Sequence, residues 1–197
     1  HAMAGKIMVD SIVLNATQYG IDGFRFDLMG HHSLENMLEI REALDSLTLE
    51  KDGVDGSAIY LYGEGWNFGE VADNALFIQA TQGNIAGTEI GTFNDRLRDA
   101  VRGGGPFDKD QREWQGFGTG AYTLPNAVSE ANDTPEAQLA NLLHETDLVR
   151  VGLAGSLKDF EFLTAAGVVQ TSAEIDYNGQ PAGYVTNPQE AVNYVEA

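Results

Sequence analysis

Near the start of the chain, Val9, Ile12, Val13 and Ala16 recur three and four residues apart, which predicts an amphipathic helix over 3–17. Gly20 follows as a stop signal. Residues 22–27 then read as a short strand that ends at Asp27. Ser33 is placed to cap a second helix over 34–47, whose apolar face carries Leu34, Met37, Leu38, Leu44 and Leu47. The Asp- and Gly-rich stretch KDGVDGS at 51–57 is a loop. Ile59-Tyr60-Leu61-Tyr62 predicts a second strand, ending at Gly63-Glu64. Helix, strand, helix, strand with short links is the pattern of parallel βα units.

Further along the pattern is less regular. A helix is expected near 70–80, and a third strand near Ile90–Phe93, running into Asn94-Asp95-Arg96-Leu97-Arg98-Asp99. Residues 103–122 are rich in glycine and read as loop. Leu139, Leu142, Leu143 and Val149 predict a helix over 136–153. Residues 159–185 read as a hairpin and turns, and Val192-Asn193-Tyr194-Val195 as a last strand before Glu196 and Ala197. No internal repeat and no low-complexity linker breaks the chain, so it reads as one domain or part of one.

Composition narrows the function classes. The 197 residues can bury a substantial core, and 43% hydrophobic content is that of a globular chain. A net charge of −19 argues against nucleic acid and against anionic membrane surfaces. Solubility alone is the plain explanation of that charge; a neutral or cationic partner also fits it. The chain has no cysteine, which excludes disulfides and thiolate metal sites. No apolar run approaches the ~18 residues of a membrane span. The start, His1-Ala2-Met3, carries no charged segment followed by an apolar one. It reads as a cut end, with targeting information outside this sequence.

Candidate chemistry begins with Asp27, a carboxylate inside the apolar run GFRFDLMGHH at 23–32. Asp27 and Glu64 occupy the same position in successive βα units, at the C-terminal end of a strand. That edge carries the chemistry in parallel α/β folds. Neighbouring parallel strands lie roughly 4.8 Å apart, so two such side chains can reach opposite sides of one bond. Retaining glycosidases need two carboxyl groups about 5–5.5 Å apart. Arg25, two positions before Asp27, shares its strand face and favours the ionised carboxylate that a nucleophile needs. Glu64 lies between glycines with Trp66 nearby, an aromatic setting that suits a general acid. The same residues also allow a structural Asp27–Arg25 ion pair and a loop-capping Glu64. The glycines at 103–105 and 116–120 lack the Lys-Ser/Thr of a phosphate loop. The four histidines lack metal spacing. A calcium loop starting at Asp108 would need Glu where Thr119 stands.

GFRFDLMGHH resembles the nucleophile-bearing motif of the alpha-amylase superfamily of glycoside hydrolases. YLYGEGWNFGE at 60–70 resembles the acid/base motif of its debranching branch. GTFNDRLRDAVRGGGPFD at 91–108 and EIDYNGQPAGY at 174–184 are more specifically similar to the pullulanase family, and the resemblance runs through nearly the whole chain. It implies an α/β fold: part of a (β/α)8 TIM barrel, roughly strands four to seven, with a long insertion between strands six and seven. Residues 1–197 would then be one incomplete catalytic domain cut at both ends, since a full barrel takes about 250 residues. The implied activity is retaining hydrolysis of alpha-1,6 branch linkages in pullulan, starch or glycogen-derived dextrins. The implied partner is a branched alpha-glucan, and the chemistry needs no cofactor. A structural calcium is open for the full-length protein, and nothing in these residues places one. The implied setting is extracellular and bacterial.

By match to the family, Asp27 is the nucleophile, Glu64 the acid/base, and Arg25 the group that aims Asp27. Trp66 would stack on a sugar ring, and His31 and His32 would bond sugar hydroxyls. Asp95 and Arg98 would contact glucose beyond the third strand, or else pair with each other. Two departures stand out. The family's earlier strand motif, carrying Asp, Asn and His, is absent, and so is the His-Asp pair expected directly after VNYVEA. The third catalytic carboxylate would therefore lie beyond Ala197, and the isolated segment is expected to fold poorly and to be inactive. Two rivals remain: a related alpha-glucan enzyme with another bond preference, and a catalytically dead glucan-binding chain.

Overall fold

Helix α1 (Ala2–Tyr19) opens the chain and covers the predicted 3–17. It buries Ala16 and lays Met8, Val9 and Ile12 on the core of the first unit. In this computed structural model, which describes residues 2–195, the chain forms two compact units, His1–Phe93 and Asn94–Ala197.

In the first unit, β1 (Gly23–Phe26) stops one residue short of Asp27. The Ser33 hydroxyl accepts the Asn36 N–H and starts α2 (Leu34–Asp45), as expected. That helix ends two residues early, because the Leu47 amide turns back to the Leu44 carbonyl at 2.8 Å. A single-turn helix, α3 (Leu49–Asp52), is capped by Thr48 and enters the predicted loop. Next come β2 (Tyr60–Gly63) and β3 (Gly91–Asn94). The strands are parallel, with Arg25 opposite Tyr62, Phe26 opposite Gly63, and Gly63 opposite Thr92. The α/β alternation read from the sequence is therefore the fold of this unit.

Strand side chains alternate between two faces. One face sends Phe26 and Leu61, with Phe24 behind them, into a core built with Met29, Met37, Ile40, Leu44, Ile85 and Ile90. The other presents Arg25, Tyr60, Tyr62 and Phe93. Tyr60 and Tyr62 stack at 5.4 Å, and Phe93 meets Tyr62 edge-on at 5.6 Å. Gly91 is required here, because a Cβ would run into the Tyr60 hydroxyl.

The helix expected near 70–80 does not form. Residues Gly69–Asn74 make a 3-10 stretch broken at Ala72 and Asp73. Asp73 and Asn74 take φ of +56° and +60°. The cause is local competition by polar side chains. The Asn67 amide exchanges bonds with the Asp73 carboxylate and N–H, and Asn74 and Gln79 trade N–H for side-chain oxygen in both directions.

The second unit starts with α4 (Asp95–Arg102), capped by Asn94, a helix the sequence reading did not separate from the strand before it. Residues 103–122 are loop, as predicted, with 3-10 turns at Gln111–Glu113 and Phe117–Thr119. A short α5 (Ala127–Asn132) precedes α6 (Pro135–Leu153), which matches the predicted 136–153. Helices α4 and α6 pack around Ala100, Leu148 and Val151. The predicted hairpin is β4 (Glu161–Leu163) against β5 (Val169–Thr171), followed by β6 (Asp176–Tyr177) against β7 (Gln180–Pro181). The last strand, β8 (Ala191–Asn193), is shorter than expected. Tyr194 lies beyond it, its hydroxyl accepting from Arg98. Glu196 and Ala197 lie outside the described residues. Among the described residues, no helix is long and apolar enough to cross a membrane.

Candidate active site

Phe26 and Gly63 are register partners, so Asp27 and Glu64, the next residue of each strand, stand at one level on neighbouring strands. Arg25 joins them. Its Nη1 lies 2.6 Å from Asp27 Oδ1 and its Nη2 2.9 Å from Glu64 Oε1. One planar guanidinium thus spans both acids, a geometry its fork of donors permits and a lysine does not. The Asp27 side chain is 75% exposed and that of Glu64 23%. Two neighbours that sequence reasoning missed complete the arrangement. Phe93 lies under the guanidinium at 5.7 Å, a cation–π contact. The Leu28 amide donates to Glu64 Oε2 at 2.8 Å from a backbone in the left-handed region, φ +47°. Phe93 was legible as the β3 residue on the Arg25 face; nothing in the sequence announces Leu28.

Both structural alternatives therefore exist in the same geometry. Arg25 and Asp27 are an ion pair, and Glu64 ties down the turn after β1. The groups bonded to the Glu64 carboxylate are Arg25 and Leu28, rather than an aromatic surface. Asp27 Oδ2 carries no bond among the described residues.

The turns after β1 and β2 close on each other. Gly30 donates to the Glu64 carbonyl at 2.8 Å and packs on the Trp66 backbone, where a Cβ would collide. Gln79 fixes the far side by donating to the Gly30 carbonyl. Trp66 is half-buried beside this junction. His31 sets its ring edge-on to Phe68 at 4.6 Å, and its buried Nδ1 has no hydrogen-bond partner among the described residues. His32 meets Phe26 edge-on, and burial, then His31, lowers its pKa. So Arg25 is in direct contact with both Asp27 and Glu64, with His31, His32 and Trp66 on the two turns that frame them.

Asp95 and Arg98 belong to the second unit. Instead of the pairing with each other that the sequence left open, each pairs with a sequence neighbour: Asp95 with Arg96 at 3.2 Å, and Arg98 with Asp99 at 2.6 Å. Arg98 Nη1 also donates to the Tyr194 hydroxyl. Asp99, a mostly buried residue of α4, accepts in addition from Tyr177 at 2.6 Å. Among the described residues, no group of three or more His, Asp or Glu is arranged to hold a metal ion.

Comparison with known proteins gives these motifs a context. No family model matches the chain. The pullulanase of Klebsiella aerogenes is 45% identical over 197 residues, covering 99% of this chain and 16% of that protein. Pullulanase 1, chloroplastic, of Arabidopsis thaliana is 43% identical, covering 100% of this chain and 20% of that protein. A crystal structure of Klebsiella pneumoniae pullulanase complexed with maltotriose superposes with a TM-score of 0.85 at 44% identity, covering 100% of this chain and 17% of that one. The chain thus spans about a sixth to a fifth of the relatives it matches. Along its whole length, then, the chain belongs with the pullulanases, as a segment of them.

Proposed function

We infer that, in the whole protein, this segment supplies the nucleophile and the acid/base of a retaining glycoside hydrolase that cuts alpha-1,6 branch linkages of alpha-glucans. The observation that carries this reading is the single Arg25 guanidinium bridging Asp27 and Glu64 at matched ends of two parallel strands. Arg25 holds one oxygen of Asp27 and leaves Oδ2 to attack the anomeric carbon. Glu64 protonates the glycosidic oxygen as that bond breaks, and a covalent glycosyl-enzyme forms. Glu64 then takes a proton from the incoming water, which releases the sugar with retained configuration. Because Arg25 and Leu28 engage both Glu64 oxygens, one of these contacts opens when Glu64 carries its proton. His31, His32 and Trp66 are assigned to sugar contacts on the framing turns, and Asp95 and Arg98 to contacts beyond the third strand. In this reading β1, β2, β3 and, after a long insertion, β8 supply strands four to seven of a (β/α)8 barrel, and residues 1–197 are part of one catalytic domain.

The test is Asp27→Asn in the intact protein that carries this segment, assayed on pullulan by release of reducing ends. Turnover is expected to fall on the order of 10⁴-fold or more, as for removal of a nucleophile, with glucan binding kept. Retained turnover would sink the assignment. Equal rates on linear and branched substrates would sink the alpha-1,6 preference alone.

A further inference from the structure

Residues 103–126, between α4 and α5, hold no strand and no α-helix. Loops of that length inside a folded unit are uncommon and are usually functional or disordered. This one is tied down. The Gln115 side-chain amide donates to the carbonyls of Thr119 at 2.6 Å and Leu124 at 3.1 Å, and its oxygen accepts the Asn126 N–H at 2.8 Å. Asn141 of α6 donates to the Gln115 carbonyl, and Asn126 to that of Arg112. Within this brace Tyr122 is held at φ +60°, a conformation a bulky residue keeps only when its surroundings fix it.

The brace borders an open cavity of about 60 Å³, lined in part by Trp114, Tyr122, Glu113, Asp133, Gln138 and Asn141. Trp114 is 53% and Tyr122 42% exposed. The Glu113 and Asp133 carboxylates and the Gln138 and Asn141 amide oxygens accept no hydrogen bond among the described residues. Among the described residues no cation lines the cavity, and nearby Arg112 is committed to Asp110 at 2.6 Å. An anionic ligand would find nothing to neutralise it. Aromatic faces beside several open acceptors suit a neutral polyol, whose hydroxyls donate and whose C–H face covers a ring. The cavity has room for a few waters, or for the hydroxyl-bearing edge of one sugar, with the ring resting on the aromatic rim.

We propose that the Trp114–Tyr122 cavity is a second saccharide site that binds a glucose unit of an alpha-glucan and shares no residue with the Asp27–Glu64 site. The choice of alpha-glucan among saccharides rests on the proposed function; the site itself does not.

The test is affinity electrophoresis of the intact protein through gels containing amylopectin, with hydrolysis of a short branched dextrin measured in parallel. Trp114→Ala and Tyr122→Asn, the second chosen because Asn tolerates the left-handed backbone, are each expected to weaken retardation at least threefold. Hydrolysis of the short dextrin and the melting temperature should not change. Should either variant lower the melting temperature, Glu113→Ala, which removes an exposed acceptor outside the brace, decides in its place and is expected to weaken retardation. Unchanged retardation in variants that melt normally overturns the proposal. So does calcium binding by titration calorimetry that Glu113→Ala removes while retardation stays. Retardation that depends on Trp114 in a protein without hydrolytic activity keeps this site and removes the proposed function.

Discussion

Arg25 in the first unit and Arg96 in the second both sit between acids and aromatic rings, yet they differ in what they leave available. Arg25 is 39% exposed and holds an Asp27 that is 75% exposed. Arg96 is 4% exposed. It stacks on Tyr177 at 5.0 Å and Tyr184 at 4.3 Å, and donates to the Pro181 carbonyl, Gln180 and Asp95. Its guanidinium is itself buried. The interactions of Arg25 end at an acid that still meets water. In the proposed function, the difference separates a cation that organises reacting groups from one that organises a scaffold, and the ring contacts common to both do not reveal it.

Applying one conservative change to both residues sharpens that contrast. Arg25→Lys should lower turnover in the intact protein on the order of 10²-fold, since a point charge cannot span two carboxylates. Its urea midpoint should stay near that of the parent, because Arg25 and Asp27 are exposed and a lysine keeps the charge. Arg96→Lys should do the reverse, with specific activity kept and stability lower by about 3 kcal/mol, read by denaturant unfolding. Equal behaviour of the two variants would break the comparison.

Glu145 is an exception within the second unit. Asp95, Asp99, Asp147 and Glu190 all have hydrogen-bonding or ionic partners. Glu145, on α6, has no hydrogen bond among the described residues, and burial, then the Asp99 carboxylate, push it up from an ordinary 4.5 to about 8. The folded state keeps a proton that the unfolded chain releases. The stability this contributes is whole below about 4.5 and is lost as pH rises through about 8. Glu145→Gln should flatten that fall, and its advantage in urea midpoint should be largest at the alkaline end of a pH series. The smallest expected effect is that of Ser33→Ala, which removes a helix cap in the first unit. It should cost about 1 kcal/mol in unfolding free energy with activity unchanged.

Legibility followed the same division. In the first unit, order came from local signals: the spacing of Val9, Ile12 and Val13, the Ser33 cap, and the strand alternation that put Arg25 beside Asp27. The stretch 70–80 misled because its apolar residues, Val71, Ala75 and Ile78, fit a helical spacing while Asn67, Asp73, Asn74 and Gln79 take over the backbone groups a helix would use. Beyond Phe93 the decisive contacts join residues far apart in sequence. Tyr177 reaches Asp99, Tyr194 reaches Arg98, and Asn94 donates to Ser156 and Asn193. No periodicity encodes such pairs, so α6 and the hairpin were predictable and the partners of Asp95 and Arg98 were not. In the candidate site, Leu28 escaped notice because its contribution is a backbone N–H, which every residue but proline carries.

The bridge at Arg25 also fixes how charge is counted in the first unit. Two ionised acids and one guanidinium sum to −1, and a single proton brings the set to zero. In the proposed reaction, the sugar carbon acquires positive character as the glycosidic bond opens, while Glu64 gives up its proton. The set becomes anionic as its guest becomes cationic. Because Arg25 holds both acids, that compensation is a matter of one proton: the set goes from neutral to a single negative charge.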